Sequence, residues 1–198
     1  MTVGPDPRPF VTAVILAAGS STRMGRPKLA LPVQGEPMIR RVARAALQSR
    51  CREVIVVLGA HAETYRPLLN GLDVRVIENP HHAEGMGTSI RAGTAAVSRA
   101  SSGAIILLAD QPFVDASVID RLIESAATGG YMVVASAYQG TVGPPAYFDR
   151  SLFDELQQLT GDRGARAVIE RHPERCLRIP LGADASRDID APADVSLL

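Results

Sequence analysis

Apolar and polar positions fall into blocks along the chain. Val11–Ala17, Glu53–Leu58, residues 104–109 and residues 131–137 are nearly continuous in valine, isoleucine, leucine and alanine, the pattern of short strands buried on both faces. Between them apolar residues recur at helical spacing: over 37–48, with Pro37 at a first-turn position, over 89–98, and over 116–127 behind Asp115 as a cap. A weaker strand over 73–78 follows the stretch 61–69, which Pro67 interrupts. Strand therefore alternates with helix through five or more β units. That order predicts an α/β fold with an open, mostly parallel sheet covered on both faces.

Beyond Gln139 the alternation fades. GTVGPPAYF, residues 140–148, is rich in proline and glycine and predicts a segment that crosses over the sheet rather than continuing it. Helices are expected over 151–159 and 163–171, then a short strand at Cys176–Pro180, then the closing run SRDIDAPADVSLL. A length of 198 residues suits one domain. Residues 11–198 are expected to form it, and MTVGPDPRPF, residues 1–10, to be a disordered leader.

Composition narrows the function classes. Lysine plus arginine (21) equals aspartate plus glutamate (21), so no overall field draws nucleic acid or an anionic membrane. Cys51 and Cys176 are the two cysteines and lack CxxC spacing, which argues against a disulfide framework or a zinc site and for the cytoplasm. No apolar run approaches the ~18 residues of a membrane span, and the opening residues lack a signal-peptide layout.

In an open α/β sheet, ligands bind beyond the carboxyl ends of the strands. The first strand there runs into AAGSSTRMGRPK, the 73–78 strand into Asn79, and the 104–109 strand into Asp110. The loop is not a Walker A sequence, since Met24 stands where its second glycine belongs, nor a GxGxxG fingerprint, since Ser21 replaces the second glycine. What remains is LxxGxxxRMGxPK, from Leu16 to Lys28. Gly19 allows a ligand close to the backbone, and the small Ala17, Ala18, Ser20 and Ser21 leave the amides accessible. Arg23 and Lys28 supply positive charge, the arginine as a planar fork and the lysine as a point charge. Such a loop suits a polyphosphate; a basic surface loop is the plain alternative.

Asp110, in LLADQP, is a candidate ligand for Mg²⁺, which favours carboxylate and phosphate oxygens together. Asp188 and Asp190 of DIDAP are the candidate further carboxylates, on one face of an extended chain. A turn cap at Asp110 and a solvated acidic turn in the tail are the competing readings. In ENPHHAEGMGTSIRAG, residues 78–93, Thr88 or Ser89 is expected to cap a helix whose amino end favours an anion or a polar sugar edge. His81 and His82 lack metal-ligand spacing and are read as surface residues.

LAAGSSTRMGRPK, LADQP and DIDAPAD together resemble the MobA-like nucleotidyltransferases, and within them the molybdenum cofactor cytidylyltransferases (MocA-like). The resemblance runs from Val11 to Asp194, with GPPAYF and GDRGAR similar to motifs near the acceptor. LAAG rather than LAGG, with a segment similar to GLSSSL, is the cytidylyl form; here the segment reads GMGTSI, so Gly87 and Thr88 stand where the family has two serines. The resemblance implies a Rossmann-like three-layer sandwich of the nucleotide-diphospho-sugar transferase type. It implies CTP and Mg²⁺ (or Mn²⁺), and transfer of CMP to the terminal phosphate of molybdenum–molybdopterin cofactor with release of pyrophosphate. Nucleotide contacts would come from Leu16, Ala17, Ala18, Gly19, Arg23, Lys28, Asn79, Thr88, Ser89 and Asp110. Catalysis would fall to Arg23, Lys28 and Asp110, and the metal to Asp110 with Asp190 or Asp188. A molybdoenzyme or its chaperone is the recipient this implies. The alternatives are another phosphorylated acceptor (a sugar, a polyol or phospholactate), GTP as donor, an NAD(P)-dependent oxidoreductase, and a non-catalytic cofactor carrier.

Overall fold

The structure, a computed structural model, describes residues 9–138, 140–182 and 189, without the side chain of Arg23. Nine strands appear among these residues: β1 (Val11–Ala17), β2 (Pro32–Val33), β3 (Glu36–Pro37), β4 (Glu53–Leu58), β5 (Arg75–Glu78), β6 (Gly103–Leu108), β7 (Val133–Tyr138), β8 (Thr141–Asp149) and β9 (Cys176–Pro180). The α-helices are α1 (Met38–Gln48), α2 (Ala62–Tyr65), α3 (Met86–Ala96), α4 (Ala116–Gly129), α5 (Phe153–Gln157) and α6 (Arg166–Ile169). Seven strands form one sheet in the order β5-β4-β1-β6-β8-β7-β9, and β2 and β3 form a separate hairpin. All neighbours in the large sheet are parallel except those of β8, which runs antiparallel to both β6 and β7.

The continuous apolar runs are explained by burial on two sides. In β1 the residues Val11, Ala13, Ile15 and Ala17 face one core, shared with Ile39, Val42 and Ala43 of α1 and Ile119 and Leu122 of α4. Val14 and Leu16 face the other, with Ile90 of α3, Phe153 and Leu156 of α5, and Val168 and Ile169 of α6. This is a three-layer, Rossmann-like α/β arrangement. Asp115 caps α4 as its position suggests, accepting a hydrogen bond of 3.0 Å from the Val118 amide.

The segment expected to cross over the sheet instead enters it. Thr141–Asp149 is β8, inserted between β6 and β7. Proline is barred from a central strand except where no ladder bond is required of it, and that condition is met here. The β6 ladder stops at Ile106–Ala146, and pairing with β7 slips between Ala135 and Ser136, so that Pro144 and Pro145 occupy the bulge. The Ser136 hydroxyl donates to the Pro145 carbonyl at 2.7 Å and closes it. The stretch 61–69 divides into α2 and a 3-10 turn, Arg66–Leu69, at its proline. Of the expected leader, residues 1–8 lie outside the described residues, while the Phe10 carbonyl accepts from the Ser102 amide at 2.7 Å.

Close approach of α3 to the sheet depends on Gly93. A Cβ there would overlap Cγ1 of Val14 and lie 3.0 Å from Cγ2 of Val57, both within the core. Gly93→Ala should therefore destabilise the fold by about 1–3 kcal/mol, read as a lower urea midpoint with an unchanged m-value.

Candidate active site

Parallel pairing of β1 with β4 and β6, and of β4 with β5, brings four carboxyl ends to one edge. Leu16 stands opposite Leu108, Ala17 opposite Leu58, and Leu58 opposite Glu78. The residues that follow, Ala18, Gly59, Asn79 and Ala109, thus emerge together. The ladder extends one step further, with the Ala109 amide donating to the Leu16 carbonyl at 3.1 Å and the Asn79 amide to Leu58 at 2.8 Å.

Two of the expected catalytic side chains meet at this edge. Lys28 Nζ lies 2.7 Å from Asp110 Oδ2, with the side chains only 14% and 24% exposed. A lysine so placed can exchange its carboxylate partner for phosphate oxygens at the same cleft. Lys28 is carried there by a 3-10 turn, Lys28–Ala30, behind Pro27, and its amide is 3.4 Å from the Ser21 hydroxyl. The Asp110 carbonyl in turn accepts from the Ile189 amide at 3.1 Å, and Ile189 is buried with Val33 and Met38. Asp188 and Asp190, and the side chain of Arg23, lie outside the described residues.

Two cavities open side by side. One, of about 370 Å³, is lined by Leu16, Ala17, Gly19, Ser21, Lys28 and Asp110, with Met86 at its edge. The other, of about 510 Å³, is lined by Ala18, Ser20, His82, Met86, Ser89 and Asp162. Gly19, Asp110 and Met86 border both. Among the described residues Met86 is the large apolar side chain left exposed, at 43%. Its sulfur lies against Gly164, where a Cβ would stand 3.0 Å from it, and the exposed part of the side chain offers an apolar contact between the two cavities.

Asn79 and Thr88 are placed differently from Ser89. Asn79 is buried, and its Nδ2 donates to Thr88 Oγ1 at 2.8 Å and Ser89 Oγ at 3.0 Å, while its Oδ1 accepts from the His81 amide at 3.0 Å. Thr88 Oγ1 also donates to the carbonyls of His81 and Gly85, each at 2.9 Å. These bonds tie the end of β5 to the start of α3, and of the three side chains only Ser89 borders either of these two cavities. Neither Thr88 nor Ser89 caps α3, because the helix starts at Met86 with Gly85 as its N-cap. His82, read from the sequence as a surface residue, borders the larger cavity, while His81 pairs with Glu84 at 2.7 Å.

Gly85 and Gly87 have a spatial explanation. A Cβ on Gly85 would overlap the Gly161 carbonyl, and one on Gly87 would lie 2.8 Å from the Thr160 amide nitrogen. The Gly87 amide donates to the Gly161 carbonyl at 2.9 Å. The backbone of residues 159–162 therefore fills the space that serine would need at position 87, and this contact sets Asp162 at the cavity.

Comparison with known proteins places this arrangement. Residues 13–176 match the MobA-like NTP transferase domain. Nicotine blue oxidoreductase of Paenarthrobacter nicotinovorans is 32% identical, the alignment covering 86% of this chain and 87% of that protein. Purine catabolism protein PucB of Bacillus subtilis (strain 168) is 32% identical with 96% of each covered. The crystal structure of Rv0371c from Mycobacterium tuberculosis H37Rv superposes with a TM-score of 0.81 at 28% identity, covering 95% of this chain and 97% of that one. A manganese complex of Rv0371c superposes with a TM-score of 0.75, with 95% and 96% covered.

Gly87→Ser, which installs the serine of the resembling segment, should push α3 from the 159–162 backbone and lower stability by about 1–3 kcal/mol. Thermal unfolding of the two proteins checks this directly.

Proposed function

Because the chain belongs to the MobA-like NTP transferase family, we propose that it transfers CMP from CTP to the terminal phosphate of molybdenum–molybdopterin cofactor, releasing pyrophosphate. The observation that carries the reading is the Lys28–Asp110 pair at the mouth of a small-residue loop. The two charges offset each other without nucleotide. With nucleotide, the lysine turns to the phosphates and the aspartate to a cation.

Asp110 fits Mg²⁺ or Mn²⁺ by its chemistry. It is a hard oxygen donor at a cavity, and Mg²⁺ is commonly held by one or two carboxylates plus substrate phosphates. Asp188 and Asp190 are the proposed further ligands, one residue on either side of the anchored Ile189. When bound, the ion neutralises charge on the phosphates and polarises the reacting phosphoryl group. The nucleotide phosphates sit in the Lys28 chamber against the loop amides and Arg23. The base and ribose extend across Leu16, Ala17 and Ala18 toward Ser89 in the His82 chamber.

An oxygen of the acceptor phosphate attacks the α-phosphorus in line. The new P–O bond forms as the bond to the bridging oxygen of the β-phosphate breaks, and pyrophosphate carries away the electron pair. Lys28 and Arg23 balance the charge gathering on that leaving group. The acceptor phosphate is largely dianionic near neutral pH, its second pKa being about 6, so no strong general base is needed. No Ser/His or Cys/His dyad is required of the site.

One observation favours a second reading, the oxidoreductase name carried by a relative at 32% identity. The absence of GxGxxG after β1 opposes a nicotinamide dinucleotide there. Partners in this proposal are CTP, the cofactor acceptor and a receiving molybdoenzyme or its chaperone, in the cytoplasm; no described helix is long and apolar enough to cross a membrane.

Pyrophosphate release measured with each of four nucleotides, with and without molybdenum cofactor, should show turnover with CTP that requires the cofactor. Turnover with GTP or with a sugar phosphate would redirect the specificity, and NAD(P)H oxidation without pyrophosphate would replace the proposal. Lys28→Ala should lower turnover on the order of 10²-fold or more, while retaining the wild-type circular dichroism spectrum. Near-normal turnover in that variant removes the lysine from the mechanism.

A further inference from the structure

The loop that follows β1 is backed along its length by residues 59–65. The Ala60 amide donates to the Ala18 carbonyl at 3.3 Å, and His61 Nε2 lies 3.0 Å from the Ser20 carbonyl oxygen. A carbonyl only accepts, so this nitrogen carries the hydrogen. Gly59 permits the approach, since a Cβ there would stand 2.7 Å from the Ala18 oxygen.

These two contacts fix more than the carbonyls they touch. In a trans peptide the C=O and the following N–H point in opposite directions, and the peptides here are trans. Holding the Ala18 and Ser20 oxygens toward residues 60 and 61 therefore turns the Gly19 and Ser21 N–H groups to the other side. Gly19 and Ser21 line the Lys28 chamber. Among the described residues neither N–H finds an acceptor within the protein. Ser21 also sits in the left-handed region, at φ 52°, a conformation that a non-glycine residue keeps only when its surroundings impose it.

Resting on the nucleotidyl transfer reading, we infer that His61 is a positioning residue for the nucleotide phosphates: by gripping the Ser20 carbonyl it aims the Ser21 amide into the phosphate chamber. Tyr65 steadies it from the next turn. The Tyr65 ring is fully buried and meets the imidazole edge-to-face, with centroids 5.6 Å apart and planes at 68°. The Tyr65 hydroxyl, near the Ser21 side chain and the Leu29 backbone, makes no hydrogen bond of good geometry. The contribution of this residue to His61 is therefore the ring contact. His61 itself touches no substrate.

The experiment compares wild type, His61→Ala and His61→Gln by calorimetric binding of inorganic tripolyphosphate and of CTP in Mn²⁺, and by steady-state kinetics. A glutamine amide carries an N–H at a similar reach and restores the donor. His61→Ala should weaken both ligands about tenfold, the loss of one hydrogen bond's worth of orientation. The KM for CTP should rise in parallel, with kcat within about threefold of wild type. His61→Gln should recover most of the affinity. Unchanged binding in His61→Ala, equal loss in both variants, or a fall in kcat at constant KM would each overturn the inference while leaving the reaction in place. A wild-type protein that binds neither ligand would overturn both.

Discussion

The juxtaposition of β1 and β6 governs the site. These strands are neighbours in parallel register, Leu16 beside Leu108, so the loop leaving one and the aspartate leaving the other must emerge at the same edge. Lys28, eleven residues beyond the end of β1, returns to that edge and reaches the Asp110 carboxylate at 2.7 Å. An ammonium and a carboxylate this close, each mostly shielded from water, hold each other against desolvation. Parting them without loss calls for a replacement charge at each place. A triphosphate with a divalent cation carries both the required charges.

Support for this edge also comes from elements beyond the Lys28–Asp110 pair. The hydrogen bonds of Asn79 tie β5 to α3 and present Ser89 to the larger cavity. The contact of Gly87 with Gly161 brings the loop after α5 over the same opening and sets Asp162 at its wall. The site is thus assembled from four strand ends, a helix start and a loop distant in sequence, held by backbone bonds at the strand ends and at Gly87 and by the side chains of Asn79 and Thr88 between β5 and α3.

Much of this was legible in the sequence, and the reasons are local. The strands β1, β4 and β6 are continuous apolar runs with no competing period, and the rule for strand ends in open sheets then puts Gly19, Lys28 and Asp110 together. The strand β8 was not legible, because Pro144 and Pro145 argue against a central strand unless a bulge is known to receive them. The start of α3 was missed by three residues, since Met86 and Gly87 give no boundary signal and the true N-cap is a glycine with φ 109°. Met86, His82 and His61 carry no chemical signature in the chain; their placement depends on contacts with residues 159–164 and 18–21 that local pattern cannot supply. Asp188 and Asp190 were marked by their motif alone, and the structure reaches them only through Ile189.

In the proposed complex Lys28 meets the triphosphate directly and Asp110 meets it through a metal ion. The most direct test of this arrangement is the affinity of the protein for CTP titrated with and without Mn²⁺, for wild type and for Asp110→Asn. The account predicts that Mn²⁺ tightens binding to the wild type by at least about tenfold and does little for the variant. Equal tightening in both proteins would contradict it.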